Sequence, residues 1–201
     1  MKTKINPVIK YINSKYTKIG KKRLLINILI AFLVILVTLL IDQLTKNLIF
    51  TYEEYRESTD KSTFVKIISW GFIGFRPLLH QGVTSGINKF IGFTGIHIFA
   101  FLLSLILLIL IPFSKKYTLT VFMAILLGGN WGNEIDRILD DNHVKDLLFL
   151  PFVRTSGTFN FADIFIFVGP IGIFIVSLYD HAQPWISKKL KNKIFKKKSK
   201  N

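Results

Sequence analysis

The apolar residues of this chain come in long runs, without a regular amphipathic period, and that arrangement constrains the fold more than any other feature. Leu24–Ile41, Ile91–Phe113, Thr118–Leu127 and Phe161–Tyr179 are dominated by Leu, Ile, Phe and Val. A helix crossing the hydrocarbon core of a bilayer needs about 20 such residues. In lipid every backbone N–H and C=O must be satisfied within the protein, which helices do by themselves. Half of the 201 residues are apolar, an amount that also suits a soluble domain. It is the clustering that predicts a polytopic, all-α membrane protein.

The charge distribution supports this. The net charge is +15, and residues 1–23 and 188–200 hold eight basic residues each. Lys115 and Lys116 sit between two apolar runs. Basic clusters beside spans mark the cytoplasmic side and meet anionic lipid headgroups. Nucleic acid is not expected as a partner, because no aromatic stacking platform accompanies the basic ends. The chain has no Cys, which excludes disulfides, thiol nucleophiles and thiolate metal sites.

The expected organisation is a basic cytoplasmic segment (1–23), a four-span unit (24–180) and a second basic cytoplasmic segment (181–201). The spans are expected at 24–48, 91–113, 118–137 and 160–179, with a loosening at Gly169-Pro170. No cleavage site follows the first run, so it reads as a retained span. Residues 51–90 read as a small outer β cap with short strands at 64–68 and 71–75, followed by a turn-rich stretch from His80 to Gly86. Residues 138–158 read as an outer polar loop. Both termini are then cytoplasmic.

Two polar stretches interrupt the apolar pattern. Gly128 to Arg137 reads Gly-Gly-Asn-Trp-Gly-Asn-Glu-Ile-Asp-Arg and ends the third run; Phe159-Asn160-Phe161-Ala162-Asp163 opens the fourth. From Thr118 to Asp136 a helix climbs roughly 27 Å, so Asp136 and Asp163 are expected at one depth near the outer surface. Gly129, Asn133 and Asp136 share one helix face, as do Asn160 and Asp163. Two close carboxylates do not both ionise easily, and a pair sharing one proton supplies a general base and a general acid. The plainer alternative is that Asp136 pairs with Arg137 and Asp163 caps its helix. Asp42 and Lys46, four apart at the end of the first span, read as an ion pair or a clamp beside the site. His97 reads as a packing residue. Asp140, Asp141, His143 and Asp146 offer hard ligands for a metal, although a solvated loop explains them as well. No cofactor or metal is expected.

These motifs resemble those of the bacterial lipoprotein signal peptidases, also called type II signal peptidases. Asp42-x-x-Thr45-Lys46, Gly128 to Arg137 and Phe159 to Asp163 correspond to that family's patterns, and the likeness extends over about residues 24–180. The resemblance implies an aspartic endopeptidase of the bacterial cell membrane with its site near the outer surface. Its substrate would be a prolipoprotein carrying diacylglycerol on Cys, cut on the N-terminal side of that Cys. Asp136 and Asp163 would form the catalytic dyad. Asn133, Arg137 and Asn160 would position dyad and substrate, Asp42, Lys46 and Gly129 would shape the site, and the cap would cradle the substrate.

There are departures from the family pattern. His80-Gln81-Gly82-Val83-Thr84 stands where the family has Asn-x-Gly-Ala-Ala, so His80 replaces an Asn that would contact substrate. Val144-Lys145-Asp146-Leu147-Leu148-Phe149 resembles a family segment with a second Asp at the place of Phe149. Asn142 takes the place of a Gly, and that loop is one residue longer. Two other classes of function compete: a protein that binds lipidated peptides without cutting them, and a proton-coupled transporter using the two Asp residues as a relay.

Overall fold

The computed structural model describes residues 19–58, 66–81, 87–153 and 157–198, and for 87–91 and 186–198 the backbone alone. The chain runs α1 (Lys21–Leu48), α2 (Tyr52–Glu57), β1 (Ile68–Ser69), β2 (Gly74–Gln81), α3 (Ile87–Leu110), a 3-10 turn (Ile111–Phe113), α4 (Tyr117–Leu139), β3 (His143–Phe149) and α5 (Phe161–Lys198).

Among the described residues three helices are long and apolar enough to cross a membrane: Lys21–Leu48, Gly92–Phe113 and Phe161–Trp185. Large apolar side chains stand exposed along them, such as Phe32, Leu36, Phe99, Phe101, Phe167 and Phe174. Lipid is the solvent that suits such faces. The segment expected as the third span forms a helix, α4, which is not among those three, and its second half carries Asn130, Asn133, Glu134, Asp136 and Arg137. Those groups turn inward, and α4 packs against α1, α3 and α5. Ala31, Leu107, Met123, Ala124, Leu126 and Leu127 form the apolar core between these helices.

Close approach of the helices follows from glycines on two sides of α4. A Cβ on Gly132 would stand 2.6 Å from Asp42 Oδ2 on α1. A Cβ on Gly129 would stand 2.7 Å from the Ala162 carbonyl and 3.0 Å from the Ile166 nitrogen on α5. Small residues let neighbouring backbones meet in membranes, and here they bring three chain segments around one polar centre.

At the end of α1 opposite Lys21 lies a three-stranded antiparallel sheet in the order β1-β2-β3. Leu78 pairs with Asp146 and His80 with Val144, and the register shifts between Phe75 and Leu78. Pro77, which cannot donate to a ladder, falls in that irregularity. The third strand comes from the segment expected to be an outer polar loop. Val144 to Phe149 are buried throughout: β2 pairs along one edge of the strand, and α4 and α1 pack against it. β2 begins later than expected and includes His80 and Gln81; β1 is Ile68–Ser69, and positions 64–65 of the expected first strand lie outside the described residues. The expected turn at 82–86, Arg154 and most of the N-terminal basic segment lie outside the described residues.

Two further elements differ from expectation. A short helix, α2, follows α1; Thr51 caps it and Glu54 returns the bond to the Thr51 N–H, a reciprocal cap. The last helix runs unbroken through Gly169-Pro170 and continues to Lys198, well beyond the expected end at 179. The turn from α4 to β3 holds Asp141 and Asn142 at φ 49° and 65°, and Asn in this position is well suited to the left-handed region.

Candidate active site

The polar centre begins with Lys46. Its ammonium is closed off from solvent and lies 2.7 Å from Asp42 Oδ2 and 2.8 Å from Asp136 Oδ2. It also donates to Asn133 Oδ1 at 3.2 Å. An isolated buried ammonium is costly, and two carboxylates with further hydrogen bonds offset that cost. Asp136 is satisfied on both oxygens: Gln43 Nε2 donates to Oδ1 at 3.1 Å, and the Lys145 backbone N–H to Oδ2 at 3.2 Å. Asp42 Oδ1 accepts the Ala162 N–H at 2.8 Å, so α1 caps the first turn of α5.

Asp163 lies in that first turn. Asn160 Oδ1 accepts the Asp163 N–H at 2.8 Å, and Asp163 Oδ2 accepts the Asn160 N–H at 3.3 Å. Asn133 Nδ2 donates to Asp163 Oδ1 at 2.8 Å. Asp163 is partly exposed, whereas Asp136 is 1% exposed.

A third carboxylate belongs to this centre. Asp146 on β3 accepts from Asn160 Nδ2 at 2.7 Å and lies 2.7 Å from His80 Nε2 on β2. Asn160 thus serves two carboxylates, its backbone N–H facing Asp163 and its side-chain amide facing Asp146. Burial pushes the Asp146 carboxyl up to about 6; His80 opposes that rise, the negative charge of Asp163 adds to it, and Lys46 opposes it. For His80 burial acts downward, but the bond to Asp146 and the charges of Asp146 and Asp163 outweigh it, so the imidazole binds its proton more tightly than usual.

The structure therefore gathers Asp42, Lys46, Gly129, Asn133, Asp136, Asn160, Asp163 and His80 around one centre, and it adds Asp146. Asp136 was expected to face Asp163 as its partner. It is instead held by Lys46, Gln43 and Lys145, and is linked to Asp163 through Lys46 and Asn133. Arg137 turns away from this centre: it is buried and meets Glu134 at 3.4 Å. Gln81 is exposed at the end of β2, opposite His143. His97, expected only to pack, bonds Glu134 and reaches Asn142 Oδ1 at 2.8 Å, tying α3 to the turn before β3.

The acidic stretch after α4 does not form one ligand set. Asp140 meets Lys145 at 2.8 Å, His143 Nδ1 faces the backbone carbonyls of Asp140 and Asp141, and Asp146 points inward. Among the described residues no group of three or more His, Asp or Glu side chains is placed to hold a metal. Asp146 had a signal in the sequence, since it is the one acid in that stretch followed by an apolar run, Leu147 to Leu150.

Residues 34–179 match the family described as Signal peptidase (SPase) II. The lipoprotein signal peptidase of Mycoplasma genitalium is 34% identical over 109 residues, covering 54% of this chain and 59% of that protein. The one from Mycoplasmoides gallisepticum is 33% identical over 122 residues, covering 56% and 39%. The Chlamydia felis protein is 32% identical over 115 residues, covering 55% and 69%. The chain thus spans less than two thirds of the length of the two mycoplasmal relatives. Among solved structures, two bacterial membrane enzymes are 25% and 23% identical, each with a TM-score of 0.59. The alignments cover 78% and 75% of this chain, and 90% and 93% of theirs.

Proposed function

The chain belongs to the signal peptidase II family, and from that premise we propose that it is a bacterial membrane aspartyl endopeptidase. Its substrate is a prolipoprotein bearing diacylglycerol on Cys, and it cuts on the N-terminal side of that residue. The observation that carries the aspartyl reading is the joint grip of Asn160 on Asp146 and Asp163, one amide group on each carboxylate.

Asp163 acts as the base and takes a proton from the attacking water. Asp146, whose burial holds its proton up to about 6, donates to the scissile carbonyl oxygen as the carbon becomes tetrahedral. Collapse then passes the Asp163 proton to the leaving nitrogen and returns the carbonyl O–H proton to Asp146, so both carboxyls finish as they began. Asp136 is a positioning residue in this scheme. It anchors Lys46, which orients Asn133, which in turn donates to Asp163. Asp42 and Gly129 shape the same centre by fixing α5 against α1 and α4.

The topology proposed from charge has four spans at 24–48, 91–113, 118–137 and 160–179. The basic segments 1–23 and 181–201 are cytoplasmic, and 51–90 and 138–158 lie outside. Arg23 donates to the Lys115 carbonyl at 2.7 Å. That contact supports a common basic end, distant from the carboxylates. The sheet then lies over the site and offers β2 and β3 to an extended substrate.

The test is turnover of a purified diacylglyceryl-modified precursor by the full chain in detergent or lipid. Asp163→Asn and Asp146→Asn should each lower kcat at least about a thousandfold, with the double variant little worse, because members of one catalytic unit are not additive. Parental turnover by Asp163→Asn would overturn the aspartyl mechanism. Substrate capture without cleavage by the parent would turn the reading toward lipidated-peptide binding.

A further inference from the structure

We propose that His80 is a positioning residue of the reaction, holding Asp146 through Nε2 and setting the pH range over which Asp146 can act as the acid. The proposal rests on the assignment of Asp146 to the reacting pair.

The geometry comes from pairing of two strands. His80 pairs with Val144 and Leu78 with Asp146, so His80 and Asp146 are diagonal neighbours across β2 and β3, within reach of side chains on one face. Asp146 is 2% exposed, while the His80 side chain is 30% exposed. The imidazole therefore bridges a buried carboxyl and the open side of the site. Its Nε2 lies 2.7 Å from Asp146 Oδ2, and Asn160 takes the other oxygen. A side chain replacing His80 thus changes both where Asp146 points and what neutralises it.

The other charged groups around the pair leave this task to His80. Lys46 from α1 is occupied by Asp42 and Asp136. Lys145, on the same strand as Asp146, meets Asp140. Glu54 on α2 meets Lys66, and Tyr55 on α2 is buried. Asp163 from α5 bears on both members and disfavours a second negative charge. With the proton on His80, the pair is an imidazolium and a carboxylate. With it on Asp146, the pair is a neutral imidazole and an acid ready to donate. The two groups titrate together, and His80 competes with the reaction for the proton it needs.

The experiment compares pH profiles of kcat and kcat/KM for the full-length parent, His80→Gln and His80→Asn, with a diacylglyceryl-modified peptide as substrate. Gln keeps an N–H donor for Asp146 but cannot take up the proton. Without the competing base, Asp146 keeps its proton longer, so the alkaline limb of His80→Gln should move up by about one pH unit. His80→Asn should show the same shift, with a larger loss at its optimum because the shorter side chain holds Asp146 less well. Infrared difference spectra across the same range give a reading independent of turnover: the protonated-carboxyl band lost in Asp146→Asn should persist to higher pH in His80→Gln. A purely structural role would lower kcat without moving either reading. Superimposable limbs and unshifted bands, or a shift downward, overturn the proposal. Full turnover by Asp146→Asn would instead show that the assignment beneath it is wrong.

Discussion

Lys46 Nζ lies 2.8 Å from Asp136 Oδ2, and both side chains are sealed from solvent. Removing one partner of a buried pair costs up to about 3–5 kcal/mol, and the loss here is smaller because Lys46 keeps Asp42 at 2.7 Å. Asp136→Asn should therefore lower thermal stability as well as activity. Adding Lys46→Met should lower stability further and restore no turnover, because it leaves the buried Asp42 carboxylate without its cation. Thermal unfolding in detergent, beside a cleavage assay, measures both. An Asp136→Asn protein with parental stability and no turnover would return Asp136 to the reacting pair.

Asp146 predicts the opposite balance. Its carboxyl is raised from an ordinary value of 3.8 to about 6, mainly by burial. The folded chain thus holds this proton more tightly than the unfolded chain does. The resulting stability is complete below the ordinary carboxylate range, declines as pH rises and is gone above about 6. A shift of this size is worth on the order of 3 kcal/mol. Asp146→Asn should unfold at a higher temperature than the parent at pH 8, with the advantage shrinking or reversing at pH 5. An unfolding difference that stays constant with pH would contradict this account of the burial.

The helix contact at Gly129 allows a geometric test. Its Cβ would meet the Ala162 carbonyl and the Ile166 nitrogen, which are backbone atoms unable to rotate aside. Gly129→Ala should push α5 from α4 and cost about 1–3 kcal/mol. It should also lengthen the Asn133–Asp163 hydrogen bond, so kcat should fall more than KM rises. Parental kinetics would show that this approach is not needed for the site.

Topology can be read by labelling, since the chain has no Cys of its own. Ser69 and Lys115 are both exposed, on the sheet and in the turn before α4. A membrane-impermeant maleimide added to intact cells should label Ser69→Cys and leave Lys115→Cys unlabelled until the cells are opened. The reverse pattern would put the carboxylates at the cytoplasmic face.

The parts of this fold legible in sequence are those set by local composition. Long apolar runs and basic flanks give the helices, and Gly128 to Arg137 and Phe159 to Asp163 mark where polar chemistry enters them. The β3 strand was hidden, since His143, Lys145 and Asp146 make it resemble a solvated loop. Its burial depends on β2, whose Leu78 pairs with Asp146 across the whole of α3 and α4. Spacing along one helix likewise suggested Asp136 as the partner of Asp163, but it says nothing of Lys46, which arrives from a different helix. The short helix α2 did leave a local mark, Thr51-x-x-Glu54, which is the pattern of a reciprocal cap.

The bond from the Ala162 N–H to Asp42 joins residues 120 positions apart, the first apolar helix to the last. A ribosome that has released α1, α2 and α3 has made Asp42 and Lys46, while Asp136, Asp146 and Asp163 are still untranslated. Until α5 packs against α1, Asp42 lacks the Ala162 amide that it holds in the folded chain. Under the proposed assignment, the order of synthesis keeps the reacting pair incomplete until α5 is in place.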